Sequence, residues 1–76
     1  MSDFSNFSWK EIDKFLIDYG CTFVRQKGSH RIYKKAGVTK LLTLPEHKTI
    51  STGVLLQIIR NLGMDKETFS RRISNI

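Results

Sequence analysis

At 76 residues with a single cysteine, Cys21, the chain has room for one domain, residues 1–76, and none for an intrachain disulfide. Thirteen Lys and Arg against seven Asp and Glu leave a formal charge of +6, which points to nucleic acid or another anionic partner. No apolar run approaches the ~20 residues of a membrane span, MSDFSNFSWK lacks a secretory leader pattern, and the lone thiol suits a reducing compartment, the cytoplasm.

Ser8-Trp9-Lys10-Glu11 has the form of a capping box, with Phe7 and Ile12 placed to staple the turn. Trp9, Ile12, Phe15, Leu16 and Tyr19 then fall on one stripe, so a first helix is predicted from about Trp9 to Tyr19, ended by Gly20. Three short runs follow: Thr22–Arg25, Arg31–Lys34 and Lys40–Leu44. They are separated by Gly28-Ser29 and Ala36-Gly37 and closed by Pro45. Connections this short favour an antiparallel meander, each strand alternating between buried and wet positions. Glu46 to Thr49 reads as a loop. Ser51 or Thr52 then caps a second helix whose face is Leu55, Ile58, Ile59 and Leu62, with Gly63 closing it. Asp65 caps a short last helix carrying Phe69 and Ile73 one turn apart. The fold class is therefore α+β, an α-β-β-β-α order with helices on one face of a three-stranded antiparallel sheet and a helical tail.

Few residues are equipped for chemistry. No D-x-D, E-x-x-H or zinc-ligand spacing is present, and no P-loop or G-x-S-x-G, so neither a metal nor a small-molecule cofactor is expected. Cys21, just after a helix-ending glycine, reads as a half-buried filler. His30 and His47 remain, and histidine exchanges protons near neutral pH, as metal-free RNA cleavage requires. A base takes the 2′-hydroxyl proton, the oxygen attacks phosphorus, an acid protonates the leaving 5′-oxygen, and cations steady the phosphoryl charge. His30 lies in the run Lys27–Lys35, KGSHRIYKK, which has no acidic residue.

Arg25, Lys27, Arg31, Lys34 and Lys35 form a basic patch. It reads either as a solvated hairpin edge or as a phosphate-tracking surface, with Tyr33 available to stack on a base if it faces outward. Charge alone leaves both readings open. His47, in a loop after a proline, reads as loop surface or a support for the site.

Phe23 to His30, FVRQKGSH, then Leu44-Pro45-Glu46-His47, then Gly53-Val54-Leu55 leading to Ile58-Ile59-Arg60 and Leu62-Gly63, resemble the HicA family of type II toxin–antitoxin pairs. The similarity runs from about Ile12 to Phe69, with Gly28-Ser29-His30 its most distinctive piece. The resemblance implies a fold like the double-stranded-RNA-binding domain and an mRNA interferase that cuts mRNA without a metal. Its catalytic histidine carries over onto His30, with Gly28 giving the backbone access to phosphate and Ser29 orienting the imidazole or donating to a phosphoryl oxygen. The implied partner is a HicB-type antitoxin that masks the active surface. Arg31 stands where the family often has an aromatic residue or histidine, and Val54 where a threonine is common. The alternative is a non-catalytic RNA-binding module; a DNA-binding regulator ranks third, because the second helix lacks a helix-turn-helix partner.

Overall fold

The structure, a computed structural model, describes residues 7–75; residues 1–6 and 76, the ends of the expected 1–76 domain, lie outside the described part. Its elements run α1 (Trp9–Asp18), β1 (Thr22–Lys27), β2 (His30–Lys34), β3 (Leu42–Pro45), α2 (Thr52–Asn61) and α3 (Lys66–Ile73). The sheet order is β1-β2-β3, antiparallel throughout, as the short connections require.

Each helix begins where its local chemistry dictates. At α1 both halves of the capping box form: Ser8 N–H donates to Glu11 Oε1 at 2.9 Å, and Glu11 N–H donates to Ser8 Oγ at 3.4 Å. Ser51 Oγ accepts from Val54 N–H at 3.3 Å to start α2, so Ser51 and not Thr52 is the cap. Asp65 Oδ1 accepts from Thr68 N–H at 2.7 Å to start α3. Ile12, Phe15 and Leu16 of α1 and Leu55, Ile58 and Ile59 of α2 are buried, as their spacing predicts, and meet Tyr33, Leu42 and Leu44 of the sheet. Each fully buried side chain of this size contributes ~1.5–3 kcal/mol. Phe69 of α3 closes the core, its ring edge-on to Phe15 at 4.8 Å and to Phe7 at 5.6 Å.

The strands depart from the sequence reading; β2 begins at His30, one residue before the expected Arg31, and β3 runs through Pro45, one residue past Leu44. β1 runs to Lys27, two residues further than expected, and all six of its residues are exposed instead of alternating. β1 is an edge strand that the helices leave uncovered, and its alternation is also broken by a bulge. Phe23 pairs with Tyr33 and Arg25 with Ile32, so Val24 is an extra residue on an edge strand. The third strand starts at Leu42 and not at Lys40, because the ladder with β2 ends where Leu42 meets Tyr33.

Register fixes which side chains share a face, since directly opposed residues point the same way and neighbours alternate. Phe23, Gln26, Arg31, Tyr33, Leu42 and Leu44 face the helices. Thr22, Arg25, Lys27, His30, Ile32, Lys34, Thr43 and Pro45 form the opposite face, open to solvent except at Pro45, which is buried. A regular strand would have placed Phe23 and Arg25 on one face; the bulge separates them.

Candidate functional site

Gly28 and Ser29 are the two central residues of the β1–β2 hairpin, with Lys27 paired directly to His30. Gly28 has φ +63° while Ser29 has negative φ, the pattern of a type II′ turn with glycine at its first central position. Nothing lies within 4 Å of where a Cβ would stand, so glycine is needed here for conformation and not for space.

The turn is held from its inner side. Gln26 Nε2 donates to the Gly28 carbonyl at 3.0 Å and to Glu46 Oε1 at 2.9 Å. Glu46 N–H donates to the Ser29 carbonyl at 2.8 Å, locking the loop after β3 onto the turn. His30 thereby becomes the first residue of a paired strand, its backbone fixed and its side chain exposed on the open face. No hydrogen bond joins the Ser29 hydroxyl to the imidazole among the described residues.

The basic candidates divide by face. Arg25, Lys27 and Lys34 stand with His30 on the open face, and no acidic residue occupies a strand position there. The described acids lie on α1, in the loop after β3, and around α3, mixed with other cations. Such segregation gives the open face a positive potential that a nucleic-acid backbone complements.

Three candidates go elsewhere. Tyr33 is fully buried, so it cannot stack on a base; alternation turns it toward α1, where its hydroxyl donates to Asp13 Oδ1. Burial, and next that hydrogen bond, push its phenol up to about 12. Arg31, two residues earlier, faces the same way and is taken up by structural contacts. Its Nε donates to Tyr33 Oη at 2.9 Å, and its guanidinium pairs with Asp13 at 3.6 Å and Glu46 at 3.4 Å. The guanidinium also lies over the rings of Phe23, at 4.4 Å, and Trp9, at 5.2 Å. The hydrogen bond to Tyr33 leads the effects that hold its proton more tightly than usual. Lys35 lies past the end of β2 with its Nζ over the Tyr19 ring at 5.3 Å, near the end of α1.

The His47 side chain is exposed, and its backbone carbonyl accepts from Trp9 N–H at 3.2 Å, tying this loop to the start of α1. Cys21 is buried more fully than its sequence position suggested; burial pushes its thiol up and outweighs the opposing effect of Lys35, which makes a poor nucleophile.

Beside His30 is a cleft of about 280 Å³, where the flank of α2 rises past the β3 edge. His30, Thr43 and Pro45 line its sheet side, and Gln57, Ile58 and Asn61 its helix side. Among the described residues no cluster of three or more His, Cys, Asp or Glu could hold a metal ion, and no helix is long and apolar enough to cross a membrane. Sequence reasoning missed Gln26 and Glu46, which brace the turn, and Gln57 and Asn61. The last two had one signal, a pair of amides four residues apart on the outer flank of a helix.

The family model described as HicA toxin of bacterial toxin-antitoxin matches residues 9–64. No curated protein and no solved structure matches the chain.

Proposed function

Because the chain belongs to the HicA toxin family, we propose that it is an endoribonuclease that cuts mRNA without a metal ion, using the His30 imidazole for proton transfer. The family match spans the whole sheet and the Gly28-Ser29-His30 turn. The observation that carries the proposal is the register: His30 stands directly across from Lys27, on a face that also carries Arg25 and Lys34 and no acid.

On this reading the three cations grip phosphates on either side of the cut, and the negative charge that builds on the phosphoryl oxygens is met by Lys27. His30 removes the 2′-hydroxyl proton. The 2′-oxygen forms its bond to phosphorus as the bond to the 5′-oxygen breaks, leaving a 2′,3′-cyclic phosphate and a 5′-hydroxyl. Water supplies the leaving oxygen's proton, and the His30 imidazolium returns its own to the hydroxide that remains. Gly28 leaves the turn open to a phosphate, and Ser29, exposed beside it, can donate to a phosphoryl oxygen. His47 acts as a support, through its backbone contact to α1.

Family membership further suggests a HicB-type antitoxin as the protein partner. Its acidic residues would sit over Arg25, Lys27 and Lys34 and cover His30.

Purified protein incubated with single-stranded RNA in EDTA is expected to cut it, and His30→Ala to abolish cutting with an unchanged circular dichroism spectrum. Full activity in a folded His30→Ala chain overturns the proposal. Salt-sensitive RNA binding without any cutting by the unmutated protein would favour the non-catalytic RNA-binding module, which the same basic face also suits.

A further inference from the structure

The cleft beside His30 has features that phosphate binding does not require. It carries no lysine or arginine; its walls are a mixture of apolar side chains and neutral hydrogen-bonding groups. Leu41 and Pro45 contribute from the β3 side, and Val54 and Ile58 from α2. Leu41 is 53% exposed and offers apolar surface at the cleft. At about 280 Å³ the cleft falls just below the ~300–1,000 Å³ of ordinary small-molecule sites, which suits one planar ring system and excludes a peptide helix.

Its polar groups are paired in a particular way. Gln57 Nε2 donates to Asn61 Oδ1 at 3.1 Å, one helical turn apart. That bond uses one donor and one acceptor, and the Gln57 carbonyl oxygen and the Asn61 amide N–H₂ remain, both belonging to residues that line the cleft. Turning both amides exchanges their roles but still leaves an acceptor and a donor. The Thr43 hydroxyl adds a group of either kind from the sheet. An acceptor and a donor on one cleft wall, among apolar side chains, match the edge and the faces of a nucleobase.

We infer that this cleft is a nucleobase subsite, which takes the unstacked base of a nucleotide flanking the phosphate at His30 and reads its edge through Gln57, Asn61 and Thr43. The inference rests on the proposed RNA cleavage for its occupant. His30 belongs both to the cleft lining and to the cationic face, so a phosphate held there leaves the neighbouring base at the cleft mouth. A base in a duplex has its edge already paired, so the subsite selects single-stranded RNA. Arg25, Lys27 and Lys34 then supply affinity without sequence preference, and the cleft supplies the preference.

A random-sequence single-stranded RNA pool, cut by the protein and sequenced at the new ends, tests this. One position beside the cut should show a base preference. The isosteric Asn61→Asp, which replaces the donor with an acceptor, and Gln57→Leu should each lower that preference about tenfold. Lys27→Ala should lower cutting at all sites and leave the preference unchanged. Binding selection from the same pool by the His30→Ala chain reads the subsite without cleavage and should return the same base. Preferences unaltered by both cleft substitutions in folded protein, or no preference at all in either assay, overturn the subsite. Absence of cutting with the preference retained in the binding assay overturns the nuclease and leaves the subsite standing.

Discussion

Replacing Tyr33 with phenylalanine separates a buried structural tyrosine from a base-stacking one. The hydroxyl donates to Asp13 and accepts from Arg31 Nε at 2.9 Å, two charge-assisted hydrogen bonds that phenylalanine cannot make. Hydrogen bonds to charged groups contribute ~1.5–3 kcal/mol each. Asp13 and Arg31 keep their own ion pair at 3.6 Å and remain 30% and 20% exposed, so both are partly rehydrated in the variant. A net loss of about 2 kcal/mol is expected near neutral pH. The phenol is raised from 10.0 to about 12 in the folded state. Its stabilisation is therefore complete below pH 10, where Tyr33 is protonated folded or unfolded, and is lost as pH rises through 12. At pH 11 linkage removes about 1.4 kcal/mol, most of the wild-type advantage. Urea unfolding followed by circular dichroism at pH 8 and pH 11 checks both figures: wild type and variant should differ at the first pH and nearly converge at the second. Equal stability at pH 8, or a gap that stays constant to pH 11, refutes the reasoning. RNA binding by Tyr33→Phe and Tyr33→Leu, measured where both are folded, should match wild type, whereas a stacking tyrosine would lose ~1–3 kcal/mol on removal of its ring.

Arg25→Ala should weaken RNA binding and lower the salt slope by about one, with stability changed by no more than about 0.5 kcal/mol, read by titration at several salt concentrations and by urea unfolding. Arg31→Ala should do the reverse. It leaves Asp13 and Glu46 without their cation and costs about 2–3 kcal/mol of stability, less than a fully buried pair because these side chains are 20–30% exposed, while RNA affinity stays within about threefold of wild type. Deleting Val24 should be tolerated within about 1 kcal/mol, since Phe23 and Arg25 then meet Tyr33 and Ile32 as consecutive residues of a regular ladder; loss of folding on urea titration would show that the bulge itself is required.

What sequence alone revealed tracks the range of the interactions involved. The caps at Ser8, Ser51 and Asp65 are local bonds spanning three residues, and each lies within the stretch that encodes it. The stripes of α1 and α2 follow from helical spacing, and a two-residue turn could be read from Gly28-Ser29. Facing was different. Whether Tyr33 and Arg31 serve the core or the partner depends on which residues lie across the ladder, and whether Arg25 joins His30 depends on one unpaired valine. Neither is written in a window of neighbouring residues. Arg31 looked like part of the basic patch because the carboxylates that hold it, Asp13 and Glu46, lie 18 and 15 positions away in the sequence. The cleft was invisible for the same reason, since its two sides come from β3 and α2 and its polar pair looked like ordinary wet helix surface.

The acid-free face of the sheet acts before any contact is made. Arg25, Lys27 and Lys34 stand on a face without strand acids, while the described acids on the other side are offset by cations of α1, α2 and α3, so the positive charge is unbalanced on one side only. In the field of a polyanion the protein rotates while still about a Debye length, ~8–10 Å, from touching. On the proposed function, encounters with RNA would then begin with His30 already turned toward the strand, and fewer collisions would be spent on the wrong face. Added salt then acts chiefly on arrival, slowing the approach more than it hastens departure.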